Sequence, residues 1–111
     1  MDRKTDEALE SAQFIFDNSD QYAKAYSRRI ALEHHIKAEK SVQMIASSQP
    51  SISGKEMEAQ ASDSFRQKID ELEAAAYNEK RLYNQIKAKE LMIEIYRTES
   101  ANNRILDRAV R

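Results

Sequence analysis

The only proline and the only glycine of this 111-residue chain fall within eight residues, Ser47-Ser48-Gln49-Pro50-Ser51-Ile52-Ser53-Gly54. With no comparable breaker elsewhere, the flanking segments are free to form long helices joined at one turn. Pro50 lacks an amide proton and pushes Gln49 out of the α region, so a first helix is predicted to stop at about Ser48. Ser53 and Glu56 stand in the S-x-x-E order of a capping box, and Ile52 and Met57 occupy the two places of a hydrophobic staple. These signals predict a second helix that starts near Gly54 and runs to about Leu106.

Apolar spacing supports helix on both sides. In the second helix Phe65, Ile69, Leu72, Ala76, Leu82, Ile86, Ile93 and Tyr96 follow steps of three, four or seven. Glu79 and Lys89 fall on or near this stripe, which implies either that it drifts or that these side chains snorkel outward. In the first helix, from about residue 5 to 48, the stripe is Ala8, Ala12, Ile15, Tyr22, Tyr26, Ile30 and Ile36, closed by Val42, Met44 and Ile45. Asp17-Asn18-Ser19-Asp20 interrupts it with residues that prefer caps, so a break over 17–20 is one of two readings. The expected fold is all-α: one domain over 1–111, a long antiparallel, coiled-coil-like helical hairpin.

Charge favours that pairing. A third of the residues are charged, yet the net charge is −1, so both signs are interspersed. With the turn centred near Ser51, residue i lies roughly opposite 102 − i. Segment 24–40 then carries +3 against −2 on 62–78, and segment 2–20 carries −4 against +2 on 80–100. Each exposed pair is weak, about 0–1 kcal/mol, but the combined sign pattern sets orientation. A two-helix hairpin buries one stripe per helix. Phe14 or Phe16, Leu32, Leu91, Met92 and Ile95 are expected outside it. Assembly into a bundle of several copies is the natural remedy, with Leu91, Met92, Ile95 and Tyr96 as the candidate oligomer interface.

The chemistry-bearing patterns are few. There is no cysteine, so disulfides and thiolate metal sites are excluded. His34 and His35 are adjacent and point about 100° apart on a helix, so they do not chelate one ion. No Glu-x-x-His, phosphate-binding glycine loop or nucleophile elbow is present. No catalytic, cofactor or metal residue is therefore expected, and no small-molecule substrate. No apolar run is long enough to span a bilayer, and the charged start Met1–Glu7 lacks the apolar centre of a signal peptide. The expectation is an intracellular protein with no membrane association. Arg97, Arg104, Arg108 and Arg111 share a helical face near Asn102 and Asn103, and Arg28 and Arg29 form a second basic point. Together these are the candidate partner or nucleic-acid surface, with Tyr22, Tyr26, Tyr77, Tyr83 and Tyr96 as possible stacking groups. A pI near 6 argues against a dedicated DNA-binding domain.

The segment Glu94-Ile95-Tyr96-Arg97-Thr98-Glu99-Ser100-Ala101-Asn102-Asn103-Arg104 carries an E-x-[WY]-R-T-x-x-A-x-x-R pattern. With Glu58-Ala59-Gln60-Ala61-Ser62-Asp63-Ser64-Phe65 and Tyr22-Ala23-Lys24-Ala25-Tyr26, it resembles small helical accessory proteins of tailed phages and prophages over residues 20–108. The resemblance implies the cytoplasm of a bacterial host and a non-enzymatic binding role in recombination or host defence. It carries over no catalytic residue. A protein partner is expected before DNA. The alternatives are direct DNA binding by the C-terminal Arg face and a structural part of a virion or scaffold.

Overall fold

The computed structural model describes residues 2–110. Among them the chain forms three helices and no strand: α1 Arg3–Ala46, α2 Ile52–Ala61 and α3 Asp63–Val110. The protein is an all-α helical hairpin. Asp2 caps α1, its carboxylate accepting the Thr5 amide at 2.9 Å. That bond holds the Asp2 carboxyl below its ordinary pKa.

The turn is placed as predicted, but its cap is not. Ser51, extended at φ −113° and ψ 156°, caps α2 by accepting the Gly54 amide on its hydroxyl at 3.0 Å. Its carbonyl takes the first helical bond, from Lys55, at 3.0 Å. Ser53 therefore lies inside α2, and the Ser53/Glu56 capping box does not form. Ile52 and Met57 are 73% and 72% exposed, so the staple does not pack. Pro50 explains the shift: the residue following it is extended and carries a hydroxyl, so the helix begins at the first serine able to cap it. Ser51→Ala should cost about 0.5–2 kcal/mol and Ser53→Ala almost nothing. Thermal melts of the two variants separate the two cap assignments.

The second arm contains a break that the apolar spacing does not reveal. Ser62 is extended at φ −68° and ψ 147° and ends α2 while starting α3. Its hydroxyl donates to the Ala59 carbonyl at 2.7 Å and accepts the Phe65 amide at 3.3 Å. The cap-forming run Ser62-Asp63-Ser64 is the local cause. The break considered at 17–20 is absent, because those side chains satisfy the helix that holds them. Asn18 donates to the Phe14 carbonyl at 2.9 Å, Ser19 to Phe16 at 3.1 Å, and Gln13 to Asp17 at 2.8 Å.

Packing divides the chain into two units. The first comprises α1 up to Tyr22 and α3 from Arg81; the second is Ala23–Lys80. In the first unit the covered positions are Ala8, Ser11, Ile15, Asn18 and Tyr22 against Leu82, Ile86, Lys89, Ile93, Tyr96 and Ser100. In the second they are Ala25, Arg29, Leu32, Ile36, Glu39 and Gln43 against Phe65, Lys68, Leu72, Ala75 and Glu79. Both lists alternate steps of three and four, the heptad signature of coiled-coil packing.

This stripe corrects several expectations. Leu32, expected outside, is 1% exposed. Ala12, Tyr26, Val42, Ile45 and Ile69, expected inside, are exposed. Glu79 and Lys89 neither drift nor snorkel: they occupy heptad positions and are partnered. Arg29 donates from Nε to Glu79, and from Nη2 to the other carboxylate oxygen at 3.3 Å. The Lys89 ammonium stands 5.4 Å from the centroid of the Phe14 ring. Gln43 reaches Glu39 and Ser64, each at 3.1 Å. Hydrogen bonds from Ser64, then from Gln43, hold the Glu39 carboxyl below its usual pKa, and Lys68 adds to the effect. Among the described residues no buried side-chain polar atom lacks a partner.

The antiparallel register agrees with the charge argument. Lys4 meets Glu99 at 2.9 Å, Ser11 meets Met92, Arg28 meets Glu71 at 3.9 Å, and Lys40 meets Glu56 at 4.0 Å. Each lies within a few residues of the pairing expected from a turn near Ser51. In the second unit Arg28 and Lys40 supply the cations from α1, as expected, although Lys68 of α3 stands near Glu39 of α1. In the first, Lys4–Glu99 runs against the expected sign, with the cation on the acidic segment.

Candidate functional site

Leu91, Met92 and Ile95 follow from the heptad on α3. Its positions Lys89, Ile93 and Tyr96 face α1, which turns Leu91 and Ile95 to the opposite side of the helix. Leu91 is 63% and Ile95 58% exposed, and Met92 39%. The face continues through Ile105 and Leu106, each 62% exposed, beyond the reach of α1. From Asn102 to Val110 every residue is exposed. Ile105 and Leu106 were not singled out from sequence, although steps of three and four from Leu91 through Ile95, Thr98 and Asn102 lead to Ile105.

Tyr96 does not belong to that face. Its hydroxyl lies 3.1 Å from Thr5 Oγ1, so the ring is turned toward α1. Beside it, Lys4, Glu7, Ala8, Met92, Ile95 and Glu99 line a groove of about 140 Å³. The Glu99 carboxylate holds the Lys4 ammonium there, raising its pKa by hydrogen bonding and charge. On α1, Leu9 and Phe16 are exposed at 55% and 77%, seven residues apart and off the inward stripe.

The candidate arginines are spread over both packing units. Arg28 and Arg29 belong to one packing unit and Arg97, Arg104 and Arg108 to the other; Arg111 lies outside the described residues. Arg29 is held by Glu79 and by Glu33 at 2.7 Å, and its guanidinium covers the Tyr26 ring at 5.4 Å. Arg28 faces Glu71, and Arg97 faces Glu94 at 3.2 Å. Arg104 and Arg108, with Asn102 and Asn103, are exposed on the last turns of α3. Of the tyrosines, Tyr22 and Tyr83 pack on each other at 6.1 Å between centroids, while Tyr77 is 71% exposed.

His34 and His35 are both exposed. Among the described residues no group of three His, Asp or Glu side chains is arranged to hold a metal ion. No helix there is long and apolar enough to cross a membrane. No known protein family, characterised protein or solved structure matches the chain.

Proposed function

We propose that the protein is a non-enzymatic binding module, an accessory factor of a tailed phage or prophage that docks on a protein or nucleoprotein complex in recombination or host defence. The observation that supports a binding role is apolar surface on faces that the hairpin does not use. Phe16 is 77% exposed on α1, and Leu9 stands two turns before it on the same side. Large apolar side chains grouped this way on a charged helix mark contact sites for other macromolecules. Direct DNA binding is the weaker reading, because Arg28, Arg29 and Arg97 each face a carboxylate of the chain itself.

The test is crosslinking with mass spectrometry in bacterial cells, using the wild-type chain and a Leu9→Glu/Phe16→Glu variant. Wild type should capture one recurring protein, and the variant, equally helical by circular dichroism, should lose it. Equal capture by both would remove the α1 face from the proposal. Capture of nucleic acid alone, abolished by moderate salt, would favour the DNA reading instead.

A further inference from the structure

The outer face of α3 carries a pattern that complements itself. Leu91, Ile95, Thr98, Asn102, Ile105 and Ala109 fall within an arc of about 80° around the helix axis at 100° per residue. All six are exposed. They alternate steps of four and three, a second heptad seam on the side away from α1. We propose that this seam is the dimer interface with a second copy of the chain, the two α3 helices lying antiparallel about a two-fold axis near Ser100. This goes beyond the binding role above, because it concerns another face and does not depend on it.

The choice of occupant rests on the sequence of the seam. Run antiparallel about Ser100, it sets Ile95 opposite Ile105 of the second copy, Leu91 opposite Ala109, and Thr98 opposite Asn102. Large meets large or small, and polar meets polar, twice over by symmetry. On one flank Met92 falls beside Leu106. On the other, Glu94 falls beside Arg108, so the flanking charges attract. Glu94 already pairs with Arg97 on its own helix at 3.2 Å, with both side chains mostly exposed. Arg108 of the second copy adds a cation from the other side. Ala101 meets its own symmetry mate, small enough for close approach. The single like-charge encounter is Glu99 with Glu99 near the axis, and each is held by Lys4 of its own chain at 2.9 Å. A parallel arrangement would lose the Thr98–Asn102 and Glu94–Arg108 matches.

Sedimentation equilibrium of the full chain gives the first result: a reversible dimer is expected. Ile95→Glu should raise the dimer dissociation constant by at least about 100-fold while helicity is retained, because two carboxylates would be desolvated in the seam. Glu94→Arg and Arg108→Glu should each weaken the dimer by about tenfold, and the double variant should recover most of that loss. The chain has no cysteine, so Ala101→Cys provides one site for a short thiol crosslinker. It should link two copies, whereas Ala38→Cys, on the exposed surface of the other unit, should not. A wild type that stays monomeric up to about 500 µM overturns the proposal. So does a dimer indifferent to Ile95→Glu, or a charge swap that fails to recover affinity. None of these three results bears on partner capture by Leu9 and Phe16, which is read separately.

Discussion

Leu32→Ala is expected to destabilise the protein by about 2–5 kcal/mol, the range for removing a buried leucine and leaving a cavity. Against a typical domain stability of about 5–15 kcal/mol, that is a large fraction of the total. It should lower Tm by at least about 10 °C. The reason is scarcity. Among the described residues the buried apolar side chains are Ala25, Leu32, Ala59 and Leu82, and Leu32 is the largest that is fully enclosed. Its helical neighbours on the stripe are Ala25, Arg29, Ile36 and Glu39, so little apolar volume is at hand to refill the space. Leu32→Met, which conserves volume, should cost under about 1.5 kcal/mol. Ile45→Ala is the control: at 84% exposure it should melt like wild type. A Leu32→Ala melt indistinguishable from that control would mean that the second unit does not depend on this contact. Amide exchange locates the effect, which should be largest in α1 on either side of Leu32.

Leu32 also shows where sequence reading stops. The turn, the all-helical class and the antiparallel register were legible, because Pro50 and the charge balance act through local chemistry and long-range sign. The inward stripe was only half legible. A search for apolar residues selects Tyr26, Ile30 and Ile69, whereas the packed stripe runs through Ser11, Asn18, Arg29, Glu39 and Gln43 on α1. On α3 it runs through Lys68, Glu79 and Lys89. A strict count by sevens from Ser11, through Asn18 and Ala25, arrives at Leu32 beside the series Ile15, Tyr22, Arg29 and Ile36 and would have found it. The polar members become visible only when both helices are known, since each is satisfied by the other arm or by its own helix. The Ser51 cap and the Ser62 break were hidden for a different reason. Adjacent serines offer several equivalent caps, and hydrogen-bond geometry, absent from sequence, selects among them. The outer α3 face was partly legible, in Leu91, Met92 and Ile95. Its continuation to Ile105 and Leu106 lay at the very end of the predicted helix, past the polar stretch Thr98–Arg104 that interrupts the apolar spacing.

Glu79→Ala is expected to lower Tm by several degrees, more than any other single carboxylate change in the protein. Glu79 is 12% exposed and takes two hydrogen bonds from Arg29, whose side chain is 26% exposed. Removing the carboxylate strands a guanidinium on a mostly covered stripe, with only Glu33 left to neutralise it. Glu94→Ala supplies the comparison, because its pair with Arg97 is exposed on both sides and screened by solvent. The Glu79 effect should also survive 0.5 M salt, since partly covered pairs are screened little. The Glu79 and Glu33 carboxylates hold the Arg29 pKa above its ordinary value. A raised folded pKa stabilises below the unfolded value and is lost only as pH rises past it. For arginine that window lies in strong alkali, so the guanidinium contributes a constant term across the working range. Any loss of stability in acid therefore reports the carboxylates. Replacing both partners, Arg29→Leu with Glu79→Leu, should leave Tm equal or higher, because the desolvation penalty disappears with the charges. What the pair then supplies is register: a Leu–Leu contact fits neighbouring alignments of the two arms almost equally well. The double variant should show multiple or broadened amide resonances around residues 29 and 79 despite its undiminished melt. A Glu79→Ala melt equal to that of Glu94→Ala, together with a double variant as sharply resolved as wild type, would assign the pair no role in either stability or alignment.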